Sequence, residues 1–460
     1  MDRRTFMAGS ATATAGALAV LGSATPGSAD EAGRTGSGGD HVRSVTAITQ
    51  VFGSGQKLVA VAAEYDSDID GSTLSTSTFA VTDRTVTKVY TNRTADLARR
   101  GRNGRYVIVE LSPDDTAAAL WVTQQGPGTP PGDGSGGGSG DGGGPGAGGP
   151  VVGDTTPGGT IVAARATLTQ PGTVTTTRGR RYAADSTARS TDAVVNLIVD
   201  DFRQLSFSDP ATGQTLRYNL FVPKNYDHRK SYPMVLFMHD ASVVNVATQG
   251  PLVQGLGAVC WASPEDQARH ESFVLAPEYG SVVIDDNYEP STLFEATANL
   301  VRSVTQEYSI DPDRLYTTGQ SMGAMMSLGL NIRYPDLFAA AFIVAGQWPE
   351  TQAAPLAQKK LWILVSADDT KAYPGEQAIT EVIRGQGTQV STALWDGRST
   401  DAEFAADVRS MKAQRTPVNF AAFETGTVVP SGSTTSAHMA TWQVAYTIPG
   451  IRDWIMRQSR

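Results

Sequence analysis

The sequence predicts two folded parts, a C-terminal α/β domain with a mostly parallel sheet and a smaller all-β domain before it. In the C-terminal half, apolar strand-like runs alternate with helical runs, which is typical of a parallel sheet covered by helices on both faces. In the N-terminal half, short β-like runs are separated by clusters of turn-forming residues, which indicates a β-sandwich. A chain of 460 residues that is 40% hydrophobic has room for two cores.

The first residues have the features of an export signal. Arg3 and Arg4 form a twin-arginine pair, residues 8–21 are mildly apolar, and Gly27-Ser28-Ala29 is a small-residue cleavage site. We therefore expect residues 1–29 to be a bacterial twin-arginine signal, which would make the mature protein secreted or extracytoplasmic. The apolar stretch is too short for a membrane anchor, and we expect the polar residues 30–42 to be a disordered tail.

The predicted β-domain extends over residues 43–205. Its expected strands are residues 45–51, 57–65, 78–90, 105–111, 118–124, 160–168 and 195–207. A Gly-rich segment, residues 126–153, interrupts this pattern and can neither bury a core nor hold one conformation. Because strand-like runs continue after it, we interpret it as a disordered insertion, an enlarged hairpin loop inside the β-domain. The alternative is a linker between two domains.

The α/β domain is expected over residues 206–460. Its predicted strands are residues 217–222, 234–238, 272–276, 314–318, 339–345, 361–365 and 390–395. Its predicted helices are residues 253–260, 291–308, 322–334, 375–386 and a last helix near the C-terminus. A functional site in such a sheet lies at the carboxyl ends of the strands.

The most informative motif is Gly319-Gln320-Ser321-Met322-Gly323. It lies between a predicted strand and a predicted helix, which is the context of a nucleophile elbow, where a sharp turn pushes the serine hydroxyl out at the end of the sheet. The two glycines leave room for neighbouring backbone. Ser321 is therefore the candidate nucleophile. The alternative is an ordinary strand-to-helix turn in which the serine caps the helix.

The base and the acid that a serine nucleophile needs follow from chain order. Where such an elbow occurs, the order is Ser, then Asp or Glu, then His, and His438 is the only histidine after Ser321. We predict that it lies in a loop before the last helix. Asp368 and Asp369 follow the predicted strand 361–365. We favour Asp369 as the acid that holds the imidazole in its working tautomer, with Asp368 as a turn residue.

An oxyanion hole is expected beside the nucleophile, with the backbone N–H of Met322 as one donor. The second donor should come from the loop after the predicted strand 234–238, which reads His239-Asp240-Ala241-Ser242. The N–H of Ala241 or of Asp240 is the candidate. Asp240 stands where hydrolases of this type usually have glycine, and we expect the aspartate to tolerate a positive φ there.

Composition argues against several other functions. The net charge of −9 argues against a nucleic-acid partner, which would require a basic face. The sequence has no Cys/His pattern with metal-ligand spacing and no phosphate-binding glycine loop after a strand, so we expect no metal and no cofactor. The single cysteine, Cys260, excludes an internal disulfide.

The C-terminal half also resembles the esterase family that is related to polyhydroxybutyrate depolymerases and carries an immunoglobulin-like N-terminal domain. The stretches that carry the resemblance are Tyr218-Asn219-Leu220-Phe221-Val222-Pro223, Leu236-Phe237-Met238-His239, Ala276-Pro277-Glu278-Tyr279, Gly319-Gln320-Ser321-Met322-Gly323-Ala324, the run from Ser366-Ala367-Asp368-Asp369 to Gly375, and His438-Met439-Ala440-Thr441-Trp442. The resemblance implies an α/β-hydrolase fold preceded by an immunoglobulin-like sandwich. It also implies Asp369 as the triad acid and hydrolysis of a carboxylic ester, without fixing which ester.

The prediction is therefore a secreted serine carboxylester hydrolase that acts on a small-molecule or polymeric ester through Ser321, His438 and Asp369. Two alternatives stay open. One is a serine peptidase on the same scaffold. The other is a secreted binding protein with a degenerate hydrolase site, which the Asp240 substitution supports. The β-domain could bind a polymer, cover the site or mediate a homo-oligomer, and its residues do not choose among these roles.

Overall fold

The computed structural model describes residues 41–123 and 149–460, and these residues lie in one compact unit. The predicted export signal, nearly all of the predicted tail and most of the predicted Gly-rich insertion fall outside the described residues. Within the described ranges, no helix is both long and apolar enough to cross a membrane.

The N-terminal part is all β apart from short 3₁₀ turns. Its strands are β1 (Val42–Phe52), β2 (Gly55–Ile69), β3 (Ala80–Val81), β4 (Val86–Asn92), β5 (Gly104–Leu111), β6 (Trp121–Thr123), β7 (Gly159–Ile161), β8 (Thr167–Gln170), β9 (Val174–Thr175), β10 (Arg181–Tyr182), β11 (Asp185–Ser190) and β12 (Ala193–Asn196). A five-stranded sheet has the order β12-β1-β2-β5-β4, and a three-stranded sheet has the order β11-β8-β3. The predicted β-sandwich is confirmed.

The sandwich core comes from the alternation of side chains along the long strands, which register shifts between β1 and β2 interrupt. On β1 and β2, Val45, Ala47, Val61 and Ala63 point to one side and pack with Leu168 of the three-stranded sheet. Successive side chains of a strand face opposite ways, so Ile48, Ala60 and Ala62 belong to a second, smaller cluster on the other face of the same sheet.

Three predicted strands of this part are each divided in the structure, and one of them, 160–168, is divided between β7 and β8. The predicted strand 78–90 is interrupted between β3 and β4 because Asp83 adopts a left-handed backbone with φ 57°. The predicted strand 195–207 is interrupted by the 3₁₀ turn Val199–Asp201, which Ile198 enters with φ 68°. Asp83 is a turn-forming residue and was a signal for the break between β3 and β4, whereas the β-branched Ile198 gives no sequence signal for the break at the 3₁₀ turn.

The strands on either side of the Gly-rich segment pair with each other. Trp121 lies opposite Ile161, and Thr123 lies opposite Gly159, in an antiparallel ladder between β6 and β7. This is the arrangement that an insertion within a hairpin requires. The domain limits at residues 43–205 and 206–460 remain predictions.

The C-terminal part is an α/β domain. Its strands are β13 (Phe202–Asp209), β14 (Gln214–Phe221), β15 (Tyr232–Met238), β16 (Phe273–Glu278), β17 (Ile310–Gln320), β18 (Ala340–Val344), β19 (Lys360–Ser366), β20 (Val390–Trp395) and β21 (Val418–Phe423). Its helices are α1 (Gly250–Val253), α2 (Leu256–Ala262), α3 (Pro264–Arg269), α4 (Thr292–Glu307), α5 (Met322–Arg333), α6 (Ala372–Gly385), α7 (Asp401–Ala413), α8 (Ala437–Ala445) and α9 (Pro449–Ile455).

All nine strands form one sheet, in the order β13-β14-β16-β15-β17-β18-β19-β21-β20. The strands from β16 to β20 in this order are parallel, and β13 and β14 are antiparallel at one edge. The mostly parallel sheet is thus confirmed. The elements that were not predicted include the helices α3, α7 and α8 and the buried strand β21 between β19 and β20. A six-residue apolar run cannot be told from a piece of helix by periodicity.

The β-domain is continuous with the core of the α/β domain. Val51 and Trp121 are buried in the same apolar cluster as the strands of the nine-stranded sheet. The turn between β1 and β2 touches α8, because a Cβ placed on Gly53 would lie 2.2 Å from the carbonyl oxygen of Gln443. Only a glycine fits at this contact.

Candidate active site

The Gly-Gln-Ser-Met-Gly motif forms a sharp turn between β17 and α5. Ser321 has φ 50° and ψ −118°, a backbone conformation that L residues avoid and that costs of order 1–3 kcal/mol. Gly323 fits under the turn because an added Cβ would lie 1.9 Å from the carbonyl oxygen of Met238, at the end of the neighbouring strand β15. The strand-turn-helix geometry therefore presents the Ser321 hydroxyl at the carboxyl edge of the sheet.

His438 lies between the two other candidate residues. Its Nε2 is 2.9 Å from Ser321 Oγ, and its Nδ1 is 2.5 Å from Asp369 Oδ2. A carboxylate can only accept, so Nδ1 carries the proton and donates it to Asp369, which leaves Nε2 free to accept the Ser321 hydroxyl proton.

The local setting of His438 differs from the prediction. It lies in the first turn of α8, not in a loop, because Ser436 caps the helix by accepting the N–H of Met439. One turn later on the same face, the Trp442 ring packs edge-on against the imidazole, with ring centres 5.1 Å apart. The helix and this aromatic contact together fix the ring plane.

Asp369 is held more firmly than its neighbour. Its Oδ1 accepts the N–H groups of Lys371 at 3.1 Å and of Ala372 at 2.9 Å, so only Oδ2 faces His438. Its side chain is 4% exposed. Burial alone would raise the pKa of this carboxyl, but the hydrogen bond and charge of His438 and the two N–H groups outweigh burial and lower it. Asp368 points away and accepts the N–H of Gly426.

The candidate oxyanion loop follows β15 and lies against the elbow. Ala241 begins a short 3₁₀ helix (Ala241–Val243), and Met322 begins α5, so the N–H groups at both positions lack an acceptor within their own helix. Asp240 has φ −78°. The expectation of a positive φ at this position is wrong, because the loop enters its 3₁₀ turn from an extended conformation that any residue adopts.

The Asp240 carboxylate points into the protein. Oδ1 accepts the N–H of Ser242 at 2.9 Å and its hydroxyl at 2.5 Å, and Oδ2 accepts the side-chain amide of Gln320 at 2.9 Å. Gln320 also donates to Gln254. The side chain that replaces glycine thus links the candidate oxyanion loop to the residue beside Ser321. No sequence pattern had indicated a role for the side chain of Gln320 or Ser242.

His239 is structural. Its Nδ1 donates to the carbonyl oxygen of Asp240 at 2.7 Å, and its Nε2 accepts the N–H of Tyr279 at 3.1 Å. Because it is fully buried, its pKa is lowered, which favours the neutral ring that this bonding requires.

A second buried carboxyl, Glu376 on α6, was not found from sequence. Its Oε1 accepts the N–H of Gly346 at 3.0 Å, and its Oε2 has no hydrogen-bond partner among the described residues. Burial raises the pKa of Glu376 well above its usual value, and the negative charge of Asp369 raises it further. The hydrogen bond from the Gly346 N–H lowers the pKa but does not offset these two effects. The available sequence signal was helical spacing: Glu376 lies four residues after Ala372 and three before Ile379, which places it on the apolar face of the helix that these two residues bury.

The sequence shows no metal-ligand pattern, and neither a metal nor a cofactor was predicted. The part of the chain that the structure describes contains no group of three or more His, Cys, Asp or Glu side chains placed to hold a metal ion.

Comparison with known proteins agrees with the two-part layout. Residues 44–183 match the family described as "Esterase Ig-like N-terminal domain", and residues 210–426 match the family described as "Putative esterase". A solved thermostable esterase is 26% identical and has a TM-score of 0.73, over 91% of this chain and 100% of its own.

Curated relatives match over shorter stretches. Poly(3-hydroxyalkanoate) depolymerase C of Paucimonas lemoignei is 32% identical over 100 residues, which is 22% of this chain and 24% of the depolymerase. Acetylxylan esterase A of Emericella nidulans is 29% identical over 104 residues, which is 19% of this chain and 34% of that enzyme. The chain thus spans about a quarter to a third of the length of these relatives.

The fold defines a protein of the α/β-hydrolase class, with the candidate residues Ser321, His438 and Asp369 together at the carboxyl edge of the sheet. More narrowly, its two parts match the esterase immunoglobulin-like N-terminal domain family and the putative esterase family, so the predicted resemblance is confirmed.

Proposed function

We propose that this protein is a serine carboxylester hydrolase that works through Ser321, His438 and Asp369 and an acyl-enzyme intermediate. The observation that carries the proposal is the position of one imidazole, 2.9 Å from a serine hydroxyl on one side and 2.5 Å from a buried carboxylate on the other. A serine needs this pairing with an oriented base to act as a nucleophile near neutral pH.

The reaction proceeds in two steps. His438 Nε2 takes the Ser321 proton as Oγ attacks the ester carbonyl, and the same proton then passes to the departing alcohol. Water, deprotonated by His438, attacks the acyl-enzyme and releases the acid. Asp369 stays ionised and stabilises the imidazolium that forms in each step.

The developing negative charge on the carbonyl oxygen needs backbone donors. We assign this role to the N–H groups of Met322 and Ala241. Met322 is the first residue of α5 and Ala241 is the first residue of a 3₁₀ helix, and the loops before these two helices meet at the elbow. The N–H of Asp240 is the other candidate from the same loop. One such donor contributes about 3 kcal/mol of transition-state stabilisation.

The ester is of the carboxylic class, and either a small or a polymeric alcohol component fits the proposal. The names of the two curated relatives point to a poly(3-hydroxyalkanoate) and to acetylxylan. Both are polymers with esters accessible to an exported enzyme, which agrees with the twin-arginine pattern at Arg3 and Arg4. We propose that the mature enzyme acts outside the cytoplasm.

Replacement of Ser321 by alanine tests the proposal. We expect turnover of a nitrophenyl ester to fall by roughly four to six orders of magnitude. A fluorophosphonate probe should label the wild-type protein at Ser321 and leave the variant unlabelled, because labelling requires an activated serine. Unchanged ester hydrolysis by Ser321→Ala would overturn the assignment.

The same preparation separates the alternatives. A peptidase would hydrolyse a matched amide substrate at a rate comparable to the ester, and an esterase would not. A binding protein with a degenerate site would give neither hydrolysis nor labelling. A series of acyl chain lengths, followed by acetylated xylan and a polyhydroxyalkanoate film, identifies the ester.

A further inference from the structure

Residues 152–158, which we name the strap, connect the end of the Gly-rich segment to β7 and run across the α/β domain. The strap pairs with the loop after β16. The N–H of Gly153 donates to the carbonyl oxygen of Val282 at 2.9 Å, and the N–H of Val282 donates to that of Asp154 at 2.8 Å. The N–H of Val152 donates to the Asp285 carboxylate at 3.0 Å.

At its other end the strap holds the loop that follows β15. The N–H of Gly158 donates to the carbonyl oxygen of Ser242 at 2.8 Å, and the side-chain amide of Asn245 donates to the carbonyl oxygen of Thr155 at 3.1 Å. The contact is tight, because a Cβ placed on Gly158 would lie 2.8 Å from the Cβ of Ser242.

Ser242 is linked onward to the reaction centre. Its N–H and hydroxyl both donate to Asp240, whose second oxygen accepts from Gln320, the residue before Ser321. On the other side, the N–H of Val283, next to the strap-paired Val282, lies 3.4 Å from the sulfur of Met322. The strap thus reaches the residues on both sides of Ser321 through two short sets of contacts.

The loop has little internal support. Its only regular element is the three-residue 3₁₀ helix Ala241–Val243, and Asn245 has a left-handed backbone with φ 56°. A 3₁₀ turn of this length has weak hydrogen bonds of its own. Bonds from outside the loop therefore decide where the Ala241 N–H points.

We infer that the strap is a positioning element that holds the oxyanion loop in its working position, so that stabilisation of the transition state depends on a segment of the N-terminal part. The inference rests on the proposed function for its catalytic consequence. The strap residues do not contact the reacting atoms. They act through Ser242 and Asp240.

Gly158→Ala is the decisive variant. The added methyl group pushes against Ser242, which shifts the loop without removing a donor. We expect kcat to fall about tenfold, less than the 10²–10³-fold effect of losing an oxyanion donor, with KM within about twofold. Affinity for a trifluoromethyl ketone, which forms a tetrahedral adduct on Ser321, should fall by the same factor as kcat.

The control is Gly385→Ala, where the same change meets open space at the end of α6. It should leave kcat and the inhibitor affinity as in the wild type. Ser242→Gly removes the Cβ that the added methyl group would contact. In this background, Gly158→Ala should lower kcat by at most about twofold. That pattern shows that the effect passes through Ser242.

A second variant covers the case in which Gly158→Ala does not fold. Asn245→Asp keeps the size and the tolerance of a left-handed backbone but has no donor for Thr155. We expect kcat to fall about threefold at unchanged KM. Amide hydrogen exchange over residues 240–245 should accelerate in both variants, whether or not the protein has activity.

The outcomes are separable. If Gly158→Ala has wild-type kcat and exchange, or raises KM alone, the inference is overturned. If the wild type hydrolyses no ester and Ser321 is not labelled, the proposed function fails. The exchange data then still show whether the strap holds the loop.

Discussion

Asp369→Asn changes one atom and reverses the direction of a hydrogen bond. The Oδ1 position faces the N–H groups of Lys371 and Ala372, so the asparagine must place its carbonyl oxygen there. Its NH₂ group is then forced into the Oδ2 position, opposite His438 Nδ1. A donor at that position requires Nδ1 to accept, which moves the ring proton to Nε2.

With the proton on Nε2, His438 cannot take the proton of Ser321. We expect kcat for nitrophenyl acetate to fall by about 10⁴, the size of effect that a wrong tautomer causes in a serine triad. At about 1.36 kcal/mol for each tenfold change, this is about 5.4 kcal/mol of lost transition-state stabilisation. KM should change little, because the backbone and the substrate-facing groups stay in place.

Asp368→Asn is the matched control. The same chemical change one residue earlier affects an exposed contact with Gly426 and leaves His438 untouched, so kcat should stay within about twofold of the wild type. Thermal unfolding of both variants excludes a general loss of fold. A kcat for Asp369→Asn within tenfold of the wild type would refute the tautomer argument. A larger loss of kcat in Asp368→Asn than in Asp369→Asn would show that Asp369 is not the triad acid.

Three further predictions concern buried contacts. Glu376→Gln cannot ionise, whereas wild-type Glu376, with its raised pKa, binds more protons folded than unfolded once the pH exceeds about 4.5. Above that pH the wild type loses up to about 1.4 kcal/mol of unfolding free energy per pH unit, so the difference in unfolding free energy measured in urea should change in favour of the variant as the pH rises above about 5; a difference that is constant with pH contradicts this. Gly323→Ala should yield little folded protein in soluble expression, since its methyl group would overlap the carbonyl oxygen of Met238; normal yield and Tm would show that the elbow can shift. Gln320→Leu leaves Asp240 Oδ2 without its donor, so we expect kcat to fall about tenfold and Tm to fall as well; unchanged kcat would mean that this link does not position the loop.

The elbow was predictable because its information is local. Strand, glycine, serine, glycine and helix follow one another in eleven or so residues, and the strained backbone of Ser321 follows from that order. His438 was a candidate by chain order, and Asp369 was a candidate because it follows the predicted strand 361–365 and fits the resemblance. The register of the parallel strands brings Ser321 and Asp369 to one edge of the sheet, and the start of α8 adds His438 between them.

The contacts that support these residues were not predictable in the same way. Asp240 was expected to adopt a positive φ by analogy with glycine, whereas its carboxylate is satisfied by Ser242 and by the distant Gln320. Glu376 resembles any helix glutamate until α6 is seen to bury it. The strap bonds join residues about 85 to 130 positions apart, which no local pattern encodes.

The contact of Gly53 with the Gln443 carbonyl, together with the burial of Val51 and Trp121, constrains how this architecture can be rebuilt. Removing the N-terminal module would expose the apolar surface of the α/β domain that Val51 and Trp121 cover, and would remove the contact of Gly53 with the helix that bears His438. Grafting the module onto a different hydrolase would require a matching depression and a glycine hairpin tip. We therefore expect calorimetry to show a single endotherm for both parts, and chimaeras to succeed only when this seam is transferred as a whole.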